Sequence, residues 1–167
     1  MSQNESGRPY LPGLMTQRPV IHITLPRAAD VLWAMEEGLR CASLAAVIGE
    51  VWGAPHVLDF TATKRLATRA ETNNLPCWLI RRGATPDLSA ARNRWRIASL
   101  PSLAHPYDPQ APGDPRWQVE LFRSRQADPG TWVATYDRAA DRVDFSAAFR
   151  DGAVADSDGS AERRAAG

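Results

Sequence analysis

The sequence predicts an α/β fold, with parallel strands and crossover helices, that passes into an antiparallel β extension. Three observations carry that expectation. Apolar β-branched runs alternate with helix-period segments in the first half. Five prolines crowd Pro101 to Pro115. The second half then alternates large apolar with polar residues.

Val20-Ile21-His22-Ile23-Thr24-Leu25 is a β-branched run ended by Pro26, which predicts a strand. Ala28 to Ser43 places Val31, Leu32, Met35 and Leu39 on one stripe, with Glu36, Glu37 and Arg40 mostly opposite, so it reads as an amphipathic helix. Ala45 to Val51 is a continuous apolar run suited to a strand buried on both faces. Thr61 to Asn73 repeats Ala62, Leu66 and Ala70 at helical spacing, with Asn73-Asn74 as the stop. Cys77 to Ile80 supplies a third strand that runs into Arg81-Arg82-Gly83.

Beyond it, Arg94 to Ser99 alternates, with Trp95 and Ile97 on one face and Arg94 and Arg96 on the other. Pro101 to Pro115 must be irregular, because proline cannot donate to a ladder and breaks a helix. Trp117, Val119 and Leu121 mark another strand. Trp132–Tyr136 and Arg142–Ser146 read as a hairpin around Asp137 to Asp141. We expect a flexible lead-in over 1–18, one α/β domain over 19–150 and a disordered tail over 151–167, where apolar bulk disappears. Three apolar strands need cover on both faces, yet only two helices are read, and successive crossovers land on one side. Either a terminus folds back or an apolar face is left for a partner.

Composition narrows the function. A chain of 167 residues, 44% hydrophobic and 23% charged, can build a core and is neither fibrous nor wholly disordered. No stretch approaches the roughly 20 apolar residues of a membrane span. The polar start Met1–Tyr10 lacks a signal peptide's apolar stretch, which makes the cytoplasm the expected compartment. Cys41 and Cys77 have no companions at metal-ligand spacing, so neither a disulfide framework nor a metal is expected. Of the 20 basic residues 19 are arginine, a bias that genomic base composition explains as readily as function. The single lysine, Lys64, has no glycine nearer than Gly53, so the phosphate-binding pattern G-x-x-x-x-G-K-[ST] is absent from this sequence.

No catalytic group assembles from the sequence. His22 reads as a core or edge histidine, while His56 and His105 sit beside prolines in loops. There is no G-x-S-x-G elbow. Glu36 and Glu37 read as a solvated helix face. Glu50 ends a strand at the carboxyl edge, where α/β sheets place ligand groups, or else serves as an ion-pair partner. The densest constellation is basic: Arg81, Arg82, Arg92, Arg94 and Arg96 fall within 16 residues whose sole acid is Asp87. In one extended strand, Arg92, Arg94 and Arg96 would share a face at roughly 6–7 Å intervals, close to the spacing of successive backbone phosphates. That row suits nucleic acid or an acidic partner, with Trp95 near by for stacking. Its structural alternative is pairing with Asp and Glu across the sheet.

Four segments carry a resemblance. Leu44 to Gly53, Asp59 to Ala67, Ser89 to Ile97 and Pro115 to Arg123 resemble, in order, the ImuA family of RecA-like accessory proteins of bacterial damage-inducible translesion synthesis, its alphaproteobacterial members above all. The likeness runs from about residue 20 to residue 146. It implies a RecA-like, P-loop NTPase-type core that is partial here, lacking the half with the nucleotide loop. Val47 to Val51 would then be the Walker B strand, with Glu50 at or beside its acidic position. The resemblance further implies no catalysis and no cofactor. It points to work in the SOS response beside an ImuB-like polymerase-related protein and an error-prone replicative-type polymerase. Single-stranded DNA, and self-association through an uncovered sheet face or edge, complete the expected contacts. The alternatives are a P-loop-type ATPase or kinase fragment, or a stand-alone nucleic-acid-binding module.

Overall fold

The computed structural model describes residues 19–147; the expected lead-in over 1–18 and tail over 151–167 lie outside the described residues. The chain divides between Arg92 and Asn93 into two compact units.

The first unit holds α1 (Ala28–Gly38), β1 (Val47–Trp52), α2 (Phe60–Thr72) and β2 (Cys77–Arg82). β1 and β2 pair in parallel, from Val47 opposite Cys77 to Trp52 opposite Arg82. The ladder begins where the Val47 amide meets the Pro76 carbonyl at 2.9 Å, two residues after the apolar run starts. α2 starts on Asp59, whose carboxylate accepts the Ala62 amide at 2.7 Å. It stops at Asn73-Asn74. Asn74 takes a positive φ of 47°, and the Leu75 amide reaches back to the Ala70 carbonyl at 2.9 Å, a Schellman closure. The Asn73 side-chain Nδ2 also donates to the Leu39 carbonyl at 2.8 Å, tying the ends of the two helices together.

Both helices pack on one side of this sheet. Leu32, Met35 and Leu39 of the α1 segment meet Val47 and Val51 of β1 and Ala62 and Leu66 of α2 in a single core, with Leu58 and Leu75 at its ends. Burying each large aliphatic side chain contributes about 1.5–3 kcal/mol. The opposite sheet face carries Ile48, Trp52, Trp78 and Ile80, which are 46–62% exposed. Among the described residues no helix covers them.

Two element readings need correction. Val20 to Leu25 forms no strand among the described residues, and Ile21 and Ile23 are 75% and 61% exposed. A β-branched run becomes a strand only where a neighbour supplies a ladder, and here none does. Among the described residues the parallel sheet therefore has two strands rather than three. The first helix ends at Gly38 rather than Ser43. Beyond it the amides of Arg40, Cys41 and Leu44 turn back to the carbonyls three residues before them, which carries the chain into β1.

The second unit is a four-stranded antiparallel sheet, β3 (Asn93–Leu100), β4 (Arg116–Ser124), β5 (Gly130–Asp137) and β6 (Arg142–Ala147), in that spatial order. β5 and β6 form the expected hairpin, closing with Asp137 opposite Arg142. The proline-rich stretch from Pro101 to Pro115 contains no strand, only an isolated bridge between Ala104 and Pro112. Register puts Trp95, Ile97, Val119, Leu121, Trp132, Ala134, Val143 and Phe145 on one face. Leu121 and Ala134 are buried at its centre, while Ile97 and Phe145 are 65% and 62% exposed at its edges.

Candidate functional site

The five arginines singled out by sequence do not form one row. The strand begins at Asn93, so Arg92 belongs to the first unit and only Arg94 and Arg96 stand on β3. Arg92 pairs with Glu71 of α2, an ion pair that raises the pKa of its guanidinium. Arg82 pairs with Glu50 on the helix-free face. Arg81 meets Asp87 at 2.6 Å; its Nε and Nη2 are buried without a hydrogen-bond partner among the described residues. Arg96 meets Glu120 across the sheet at 2.6 Å. Arg81, Arg82, Arg92 and Arg96 each meet a carboxylate, the arrangement named as the structural alternative.

Glu50 projects beside Ile48 and Trp52, away from the helices, with Arg82 as its partner. Among the described residues, two shallow surface hollows lie elsewhere. One is lined by Thr61, Lys64, Arg65, Thr68 and Arg69 of α2. The other, between the helices, includes Leu32, Trp33, Glu36 and Arg65. Glu36 is not a solvated acid. Its side chain is only 13% exposed and receives Arg65 at 2.9 Å and Arg69 at 3.2 Å, so it locks α1 to α2. Glu37, by contrast, pairs locally with Arg40 at 2.9 Å.

The histidines hold no assembled site either. His105 Nδ1 accepts the amides of Asp108 at 3.1 Å and Tyr107 at 3.3 Å, a role in shaping its loop. No group of three or more metal-ligating side chains occurs among the described residues. No helix of the described chain is long and apolar enough to cross a membrane.

One cluster gathers charge in a way the sequence did not reveal. Across β3 and β4 the register shifts between Arg94 and Trp95: Arg94 faces Arg123, Trp95 faces Leu121, and Phe122 is left without a partner. Alternation puts Phe122 on the arginine side, where the Arg94 and Arg96 guanidiniums lie 4.9 and 5.3 Å from its ring centroid, and the bulge sets Arg123 opposite Arg94. Trp95 is on the other face, against Trp132 at 6.1 Å between ring centroids. The aromatic partner of the arginines is therefore Phe122, not Trp95. The opposition of Arg94 and Arg123 escaped sequence reasoning because a bulge has no composition signal. The nearest cue was the run Phe122-Arg123-Ser124-Arg125 ending a strand.

Against known proteins, the chain is 35% identical over 138 residues to the curated Protein ImuA of Caulobacter vibrioides, in each of two strains. The alignment covers 74% of this chain and 54% of the relative. The matched stretch is therefore similar to ImuA proteins at modest identity. The chain spans about half the length of these ImuA relatives. No family model matches it. No solved structure matches it either.

Proposed function

We infer that this ImuA-type chain is a non-enzymatic accessory protein of damage-inducible mutagenesis, recruiting polymerase components by protein–protein contact and working at DNA. The observation that carries the reading is the 35% identity to ImuA over most of the chain. In this reading the parallel β1–β2 pair with its two helices is a piece of a RecA-like core. Parallel sheets are ordinarily covered on both faces. The face formed by Ile48, Trp52, Trp78 and Ile80 is then a place where a protein partner docks. The proposed partners are an ImuB-like polymerase-related protein and an error-prone replicative-type polymerase.

The absence of the phosphate-binding pattern from this sequence, and the engagement of Glu50 with Arg82, support a role without ATP hydrolysis. The test is genetic. In the organism that encodes the chain, deletion is expected to lower the frequency of ultraviolet-induced mutation, and the wild-type gene to restore it. An unchanged induced frequency in the deletion strain overturns the reading. Titration with a fluorescent ATP analogue and magnesium is expected to give no saturable signal; saturable binding favours an ATPase.

A further inference from the structure

We propose that the loop between β3 and β4 presents Tyr107 as an anchor for a protein partner whose surface offers an apolar pocket rimmed by lysine or arginine. This rests on the recruitment reading above and adds to it a second contact, on the second unit of the chain.

The stretch from Pro101 to Pro115 is held in one shape by its own hydrogen bonds. Connections longer than about 12 residues without helix or strand are uncommon in compact domains, and an ordered one is as a rule a binding loop. Here a stem forms where the Leu103 amide meets the Asp114 carbonyl at 3.0 Å and the Gly113 amide meets the Leu103 carbonyl at 3.1 Å, with Ala104 opposite Pro112. Arg116 Nε closes its base on the Pro101 carbonyl at 3.0 Å. The stem is tight enough to require Gly113, where a Cβ would lie 2.7 Å from the Ala104 carbonyl oxygen. Beyond the stem, His105 Nδ1 gathers the amides of Tyr107 and Asp108. Asp108 then takes the Gln110 amide on its Oδ1 at 2.9 Å and the Ala111 amide on its carbonyl at 3.1 Å. Pro106 and Pro109 fix φ on either side of the tip.

This built tip carries Tyr107 at 92% exposure, its ring edge-on to His105 with centroids 6.1 Å apart. A ring so exposed adds little to the fold. On a backbone already fixed it gives up few side-chain torsions when it enters a pocket, which is why tyrosine recurs as an interface anchor. Charge selects the partner. The loop holds Asp108 and Asp114 and no lysine or arginine. Asp114 meets Arg138 at 3.7 Å, while Asp108 stands exposed beside the ring. A carboxylate at that place repels a phosphate backbone, so Tyr107 is poorly placed to stack on the bases of a nucleic acid. The same carboxylate complements a polypeptide surface whose pocket has a cationic rim.

The test is biolayer interferometry of the full chain on two immobilised probes in turn, the purified ImuB-like protein and the purified error-prone polymerase of the organism that encodes it. Wild type is expected to bind at least one of them. Tyr107→Ala should weaken that binding by about tenfold or more, and Tyr107→Phe should keep it within about threefold, since the ring fills the pocket. Asp108→Lys should weaken it further than Asp108→Ala does, because it sets like charges against each other. Thermal melts should be unchanged for both Tyr107 variants, the side chain being exposed. Wild-type binding that Tyr107→Ala leaves intact overturns the loop site and spares recruitment through the sheet face. Binding of wild type to neither probe overturns the loop site and the recruitment reading together. Tighter binding by Asp108→Lys overturns the cationic rim. Anisotropy of labelled oligothymidine that rises with wild type and is lost in Tyr107→Ala overturns the assignment of the loop to a protein partner.

Discussion

Gly49 of β1 leaves the space that Met35 of α1 fills. A Cβ at Gly49 would lie 2.9 Å from the Met35 Cγ and closer still to its Sδ, and Met35 is 3% exposed. The helix can approach the strand this closely only because position 49 has no side chain. Gly49→Ala should therefore cost about 1–3 kcal/mol in urea denaturation. Combined with Met35→Ala, the two losses should sum to less than their separate values, because the second substitution makes room for the first. Strict additivity would mean the contact does not set the helix–strand distance.

Glu36 is the hinge pin between the helices. Replacing it with glutamine removes the charge that both Arg65 and Arg69 meet. We expect Glu36→Gln to lose about 1–3 kcal/mol of stability, with a smaller loss at high salt. Glu37→Gln, which disturbs only the exposed pair with Arg40, should change stability by less than about 0.5 kcal/mol. Equal effects from the two variants would return Glu36 to the solvated role its sequence suggested.

The two thiols should differ in reactivity. Burial pushes the Cys77 thiol up to about 11, whereas Cys41 is exposed. At pH 8 a disulfide reagent should label Cys41 rapidly and Cys77 only slowly, so Cys41→Ser should abolish the fast phase. A raised folded-state value favours the neutral thiol in the fold. Its contribution to stability is complete below about pH 9 and falls away as pH rises through about 11. Rapid labelling in the Cys41→Ser variant would contradict the burial of Cys77.

An apolar sheet face in water should also associate with itself. Light scattering of the purified chain is expected to report species larger than a monomer. Trp78→Lys with Ile80→Lys should move the mass toward the monomer at little cost to stability, since both side chains lie outside the helix-packed core. A monodisperse wild-type monomer with a cooperative melt would count against an exposed docking face.

Much of the secondary structure was legible from sequence, for identifiable reasons. The Asn73-Asn74 stop of α2 was legible because C-terminal capping is local chemistry, whereas the Asp59 cap, which starts the helix at Phe60, was not read. Trp95/Ile97 and Trp117/Val119/Leu121 alternate because each strand presents one face to an apolar layer. The uncovered face of β1 and β2 was legible indirectly, as continuous apolar runs with too few helices to cover them. What escaped depends on neighbours. Val20 to Leu25 has strand composition without a strand partner. Glu36 looked solvated because nothing in α1 announces Arg65 and Arg69 on another helix. The arginine row failed at Arg92, where the strand had not begun, and the Arg94–Arg123 opposition arises from a register shift visible only once the ladder is formed.

The most direct test of partner recruitment is co-purification from ultraviolet-treated cells carrying the tagged chain at its native locus. Wild type is predicted to retain the ImuB-like protein and the error-prone polymerase. The Trp78→Lys/Ile80→Lys variant should lose both at least tenfold, while Arg123→Ala keeps them. Retention of both partners by the face variant, at wild-type levels and with the fold intact, would contradict the account.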